Sequence, residues 1–84
     1  MNALTVEFNS NYSLISSVQK VSDQENRIFY GIEAQYPEKV IRYDDIAEDI
    51  EKVSLLIKLL NEGFVDEIQF EYILDDFVLS LYLL

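Results

Sequence analysis

The first half of the chain alternates between apolar and polar residues, whereas the second half carries apolar residues at the spacing of a helix. Alternation with a period of two, rich in Val, Ile, Tyr and Phe, is typical of β-strands. Four runs have this pattern, namely LTVEF at 4–8, YSLISSVQKVS at 12–22, RIFYGIEAQY at 27–36 and KVIRY at 39–43. Polar segments at 9–11, 22–26 and 36–38 separate the runs and predict turns. We therefore expect three or four antiparallel strands, connected as a meander.

After Tyr43 the apolar residues follow the period of an α-helix. The positions i, i+4, i+7, i+11 and i+14 form one stripe, and they are Ile46, Ile50, Val53, Ile57 and Leu60. Asp45, with Glu48 three residues later, has the spacing of a capping box, and Gly63 suits the C-terminal end of a helix. We therefore expect a first helix that begins after Asp45 and ends before Gly63.

A second helix is predicted to begin near Asp66, because Gln69 follows it at the spacing of another capping box. Its main apolar stripe consists of Phe70, Ile73, Leu74, Phe77 and Leu81. Further apolar residues fall largely off that stripe, and they are Ile68, Tyr72, Leu79 and Tyr82. One face of a sheet cannot cover so wide an apolar surface. Part of this helix should therefore be free to contact a partner, and we assign that role to Tyr72, Leu79 and Tyr82.

The order of these elements predicts an α+β fold, in which a small antiparallel β-meander is followed by a two-helix hairpin packed on one sheet face. A chain of 84 residues makes a single domain, with strands in 1–43 and the helical hairpin in 44–84. Half of the residues are hydrophobic, and a domain of this size has little interior in which to bury them. Self-association or a protein partner would cover the remaining apolar surface.

Negative charge is concentrated in the second half of the chain. Residues 1–43 have a net charge of −1, whereas residues 44–84 carry eleven acidic and two basic side chains, a net charge of −9. An acidic domain is repelled by nucleic acid and by anionic lipid. We therefore expect no direct binding to nucleic acid and no association with a membrane.

The residue inventory excludes most catalytic chemistry. The chain has no His and no Cys, which excludes the common nucleophilic triads and the usual structural zinc sites. Its only glycines, Gly31 and Gly63, are too few for a phosphate-binding loop. We therefore expect a protein that is not an enzyme and has no cofactor. The absence of Cys and of a secretory signal pattern at the N-terminus favours a cytoplasmic protein.

Two acidic clusters remain as candidate sites. The first contains Asp44, Asp45, Glu48 and Asp49, and carboxylates four residues apart on a helix can share a Mg²⁺ ion. Acidic residues also stabilise the N-terminal end of a helix, so a solvated helix start explains the same cluster. In the second cluster, Glu67, Glu71 and Asp75 make a row at i, i+4 and i+8, with Asp76 beside it. A solvated face explains this row as well, but the row could also meet a basic partner surface, together with Asp76 and the acids of the first helix.

From Tyr30 onward the sequence resembles a family of short, uncharacterised bacterial proteins that is classed as a domain of unknown function. The resemblance lies in YGIEA at 30–34, in DIAEDIEKVSLLIKLLNEG at 45–63 and in ILDDFVL at 73–79. The family brings no established activity. The resemblance therefore implies a fold class and gives no catalytic residues.

These observations favour a small, acidic, non-enzymatic module for protein–protein interaction. Its acidic binding face is expected to contain Asp44, Asp45, Glu48, Asp49, Glu67, Glu71, Asp75 and Asp76. The expected partner has a basic surface, such as that of a nucleic-acid-binding protein, which the module would inhibit or regulate as phage antidefence proteins do. Two alternatives stay open: a structural homodimer whose acids serve only solubility, and a carboxylate metal-binding protein.

Overall fold

The computed structural model describes residues 10–83, which form three strands followed by two helices. The strands are β1 (Asn11–Ser22), β2 (Glu25–Tyr36) and β3 (Lys39–Ala47), and the helices are α1 (Ile50–Glu62) and α2 (Glu67–Tyr82). The strands form one antiparallel sheet in the order β1-β2-β3. This architecture confirms the predicted α+β fold, with a meander of three strands in the described residues. The run at 4–8 lies outside them.

β1 and β2 form a long hairpin. Their residues pair one to one from Asn11 opposite Gln35 to Lys20 opposite Asn26, and the register shifts only beyond Lys20. The hairpin turn is at residues 23–24, and residues 37–38 connect β2 to β3. Both turns lie within the polar segments that predict them. Pro37 has no amide hydrogen, so a turn accommodates it better than the interior of a strand.

β3 contains a bulge that lies opposite Gly31. Ile32 pairs with Tyr43 and Tyr30 pairs with Ala47, so three β3 residues lie opposite Gly31 alone. A Cβ atom on Gly31 would overlap the carbonyl oxygen of Tyr43, so only glycine lets β3 pass this closely. Within the bulge, Asp45 adopts the left-handed backbone conformation, with a φ of 60°.

The bulge also shows that the predicted start of the first helix is wrong. β3 continues to Ala47, and α1 begins at Ile50 with Asp49 as its N-cap. The Asp49 side chain accepts hydrogen bonds from the amides of Glu51 and Lys52, at 3.0 and 3.2 Å. Asp45 and Glu48 therefore form no capping box. The boundary between strands and helices lies at residues 48–49 instead of at residue 44.

The core lies between the sheet and the two helices. Tyr12, Ile32, Ala34 and Tyr36 are its buried sheet residues, and α1 contributes Val53, Leu56 and Leu60. Val53 and Leu60 belong to the predicted stripe of α1, whereas Ile50 is exposed and Ile46 lies in β3. Gly63 is the C-cap of α1, as predicted, and its amide donates to the carbonyl of Leu59 at 3.0 Å.

Helix α2 is attached to the core mainly through Phe70. The predicted capping box at its start is present, since Asp66 accepts a hydrogen bond from the Gln69 amide at 2.8 Å and Gln69 accepts one from the Asp66 amide. Phe70 is fully buried, and its ring lies 5.0 Å from the rings of both Tyr12 and Tyr43, centroid to centroid. Within residues 10–83, neither helix has the length and apolar character needed to cross a membrane.

Candidate functional site

The outer side of α2 presents a second apolar stripe, opposite the one that contacts the core. Its residues are spaced at i, i+4, i+11 and i+14, and this spacing places them on one side of the helix. Their exposed fractions are 70% for Ile68, 71% for Tyr72, 57% for Leu79 and 81% for Tyr82. We call these four residues the outer stripe of α2. Tyr72, Leu79 and Tyr82, the residues assigned to an apolar contact, therefore lie on one exposed side of a single helix.

Acidic side chains border the outer stripe. Glu67, Glu71 and Asp75 line one shallow depression of about 380 Å³ together with Ile68 and Tyr72. The helical periodicity places Glu67 and Glu71 on one flank of the stripe and Asp75 within it. The structure thus brings three of the predicted acids together with two exposed apolar side chains. A surface of this composition can bury a partner's apolar side chains while it pairs with the cations beside them.

In the described part of the chain, one basic residue contacts this acidic row. The ammonium group of Lys39, at the start of β3, lies 2.7 Å from the carboxylate of Glu67. The hydrogen bond to Glu67 raises the pKa of Lys39 above its usual value, with a further contribution from the nearby charge of Glu71. Within residues 10–83, Glu71 and Asp75 take part in no ion pair.

The four acidic residues around the start of α1 form hydrogen bonds or ion pairs within the fold. Asp45 accepts hydrogen bonds from the Ser17 hydroxyl at 2.7 Å and from the Gln19 amide at 3.0 Å, which ties the β3 bulge to β1. Asp49 caps α1. Glu48 lies 3.4 Å from Arg27, and Asp44 lies 3.9 Å from Arg42.

These local contacts divide the eight predicted acids into two groups. The group on β3 and at the start of α1, which contains Asp44, Asp45, Glu48 and Asp49, contacts partners within the fold. The group on α2 contains Glu67, Glu71, Asp75 and Asp76, and the last of these is exposed on the other flank of the outer stripe. The first four carboxylates contact four different elements, so they do not converge on a common point. Within the described part of the chain, no three acidic side chains are grouped so that they could hold a metal ion.

A second depression, which is apolar and is not predicted by the sequence, lies between the two helices. It has a volume of about 170 Å³ and is lined by Lys52, Leu55, Leu56, Leu59 and Phe77. Leu55 and Leu59 are more than half exposed. They lie off the predicted stripe of α1, and their spacing of four residues is the signal that indicates a shared side.

The chain belongs to the family described as "Family of unknown function (DUF6514)", whose model matches residues 1–80. This match confirms the resemblance to a domain of unknown function and extends it to residues 1–29. No curated protein and no solved structure matches the chain.

Proposed function

We propose that the protein is a non-enzymatic interaction module, and that the outer stripe of α2 with its acidic border binds a basic surface of another protein. The observation that supports the proposal is the position of Glu71 and Asp75, whose charges are unpaired within residues 10–83, beside the exposed Ile68 and Tyr72. The acidic and apolar side chains of α2 would bind a partner surface on which basic side chains lie next to apolar ones. Such combinations occur on nucleic-acid-binding proteins, so an inhibitor or regulator of such a protein is the role that we infer.

The packing of α2 favours a binding role over a purely structural one. A helix that serves only the core has one apolar side, whereas α2 has a second, exposed one. Exposed Tyr72 and Tyr82 are residues of the kind that are enriched in protein interfaces, where the ring is buried and the hydroxyl group remains hydrated. The i, i+4 repulsion among Glu67, Glu71 and Asp75 destabilises the helix by roughly 0.2–0.5 kcal/mol for each pair. A basic partner would relieve this repulsion.

The proposal is tested by capturing partners on the immobilised full chain and on a variant that carries Glu71→Lys and Asp75→Lys. The wild type should retain a basic protein that elutes at about 1 M salt, where the Debye length is roughly 3 Å. The variant should not retain it. Addition of the free wild-type chain should then reduce the nucleic-acid binding of the captured protein.

A matched control carries Glu51→Lys and Glu62→Lys, which change the net charge by the same amount on exposed positions of α1. This control should retain the partner. Equal loss in both variants would show that only net charge matters, and retention by both would exclude α2 as the binding face. A captured protein that binds nucleic acid equally well with and without the chain would contradict the inhibitory role.

A further inference from the structure

The side chain of Asn61 covers the outer edge of β1 at a single residue, Tyr12. The Asn61 carbonyl oxygen accepts a hydrogen bond from the Tyr12 amide at 2.9 Å, and the Asn61 amide nitrogen donates one to the Tyr12 carbonyl oxygen at 2.9 Å. These are the two bonds that a neighbouring strand would make. They show that both backbone polar groups of Tyr12 point away from β2.

The rest of this edge extends toward the hairpin turn and has no such cover from any other residue of the described range 10–83. Backbone groups of an antiparallel strand point alternately toward and away from the neighbouring strand. Since β1 and β2 stay in one-to-one register as far as Lys20, the groups of Leu14, Ser16, Val18 and Lys20 point outward, as those of Tyr12 do. Within residues 10–83, β1 is an edge strand and these groups have no hydrogen-bond partner.

β1 also lacks the features that usually protect an edge strand from pairing. Proteins commonly use charged residues, Pro, bulges or short strands for this purpose. β1 has twelve residues, no Pro, a single charged residue at Lys20, and no irregularity before Lys20. Its side chains add apolar surface, since Val18 is 66% exposed and Leu14 is 39% exposed on the sheet face that bears the helices.

We propose that the outer edge of β1, from Ser16 to Lys20, pairs antiparallel with the same edge of a second copy of the chain. Such a pairing closes around a two-fold axis and joins the described strands of both copies into one six-stranded sheet. With the axis at Val18, each Val18 lies opposite the Val18 of the other copy, and Ser16 lies opposite Lys20. Tyr12 and its contact with Asn61 lie outside the overlap.

The charge distribution favours a second copy as the occupant of this edge. The acids of α2 would repel one another if two copies met there, whereas β1 contains no acidic residue. Two chains that each have a net charge of −10 therefore repel each other less when they meet through β1 than when they meet through α2. The proposed pairing does not use α2 and does not depend on the function proposed for it.

The mass of the full chain in solution, measured by size-exclusion chromatography with light scattering, tests this inference. The wild type should have twice the mass of one chain at high protein concentration. The dimer should persist at about 1 M salt, because backbone hydrogen bonds and apolar contacts are only weakly screened. A wild type that stays monomeric at high concentration would overturn the proposal.

Two variants identify the edge that pairs. Ser16→Pro removes an amide that points away from β2, so the β1–β2 hydrogen bonds remain and the dimer is lost. Val18→Lys places two like charges at the axis and should also give a monomer. Their matched controls are Ser16→Ala, which keeps the amide, and Ile28→Lys, which changes an exposed apolar residue on β2. Both controls should remain dimeric.

Circular dichroism verifies that each variant retains its sheet. A folded Val18→Lys variant that dimerises like the wild type would overturn the proposal, whatever the behaviour of Ser16→Pro. The variant with Glu71→Lys and Asp75→Lys should still dimerise. Loss of the dimer in that variant would instead place the contact on α2.

Discussion

The rings of Phe70 and Tyr43 meet edge to face, with 5.0 Å between their centroids and 77° between their planes. This contact joins α2 to β3, and Phe70 is the fully buried residue of α2. The remaining inward residues of α2, such as Ile73 and Phe77, are only partly buried. Phe70 therefore provides the main attachment of the helix that carries the proposed binding face.

Replacement of Phe70 by Ala should destabilise the fold by about 3–5 kcal/mol, because it leaves a cavity between Tyr12 and Tyr43. Urea unfolding followed by circular dichroism measures this loss. Phe70→Leu should cause a smaller loss because it retains more of the buried volume. Tyr72→Ala, which truncates an exposed ring on the other side of the helix, should stay within about 0.5 kcal/mol of the wild type. Similar losses for Phe70→Ala and Tyr72→Ala would contradict the packing described for α2.

Gly31→Ala should disrupt the bulge of β3, since the added Cβ atom has no space beside the Tyr43 carbonyl. We expect a loss of about 2 kcal/mol or more, in the range found for overpacked sites. Gly63→Ala is the matched control, because Gly63 has a φ of −89° and its nearest neighbour, the Leu59 carbonyl oxygen, would lie 3.2 Å from a Cβ atom. Its effect on the free energy of unfolding should be clearly smaller. Equal effects would show that β3 does not require a glycine at this position.

Asp45 stabilises the same bulge through its backbone conformation and its side chain. Asp45→Ala should lower the free energy of unfolding by about 1–2 kcal/mol, because Ala adopts a positive φ less readily and cannot bond to Ser17 or Gln19. Asp45→Asn keeps one acceptor oxygen and tolerates the left-handed conformation, so its loss should be smaller. Thermal unfolding of the two variants side by side provides the comparison. An Asn variant as unstable as the Ala variant would show that the carboxylate charge is what matters.

The buried tyrosines should make the fold sensitive to alkaline pH. Burial raises the pKa of Tyr36 above its usual value, and burial also raises those of Tyr12 and Tyr43. Since these pKa values are higher in the folded state than in the unfolded state, their stabilising effect is complete below about pH 10 and is lost as the pH rises further. Urea midpoints measured between neutral pH and pH 11 should show this decline.

Tyr36→Phe should reduce the alkaline decline without a large loss at neutral pH. The buried Tyr36 hydroxyl makes no hydrogen bond within residues 10–83, so its removal should change the neutral stability by less than about 1 kcal/mol. Tyr72→Phe, on the exposed side of α2, serves as the control and should keep the full decline. An unchanged decline in Tyr36→Phe would assign the pH sensitivity to other residues.

The sequence predicts the elements whose signals are local. Alternation and polar turns identify the hairpin, and the Asp66–Gln69 pair identifies the start of α2. The end of β3 is different, because Ile46 falls at a helical spacing by coincidence and Asp45 with Glu48 imitates a capping box. A contact with Gly31, distant in the chain, decides the conformation there, and no local pattern contains that information.

For the candidate site, too, the sequence predicts the features that depend on local spacing and misses those that depend on distant contacts. Residues off the main stripe of α2 are exposed, as their spacing indicates. The local use of the first acidic cluster depends on partners such as Arg27, which lies 21 residues before Glu48 and approaches it only in the folded sheet. Asn61 likewise contacts Tyr12 from 49 residues away. These pairings require the tertiary fold and could not be derived from spacing.

The bulge opposite Gly31 is a position at which related chains can differ in length. Strand residues 39–43 and residue 47 are held by their pairing with β2, whereas residues 44–46 have no counterpart other than Gly31. An insertion or deletion among residues 44–46 changes the size of the bulge. It leaves the inward side chains of Ile41 and Tyr43 in place. A one-residue deletion among 39–43 would turn those side chains to the opposite face of the sheet. Relatives of different length are therefore expected to differ at residues 44–46.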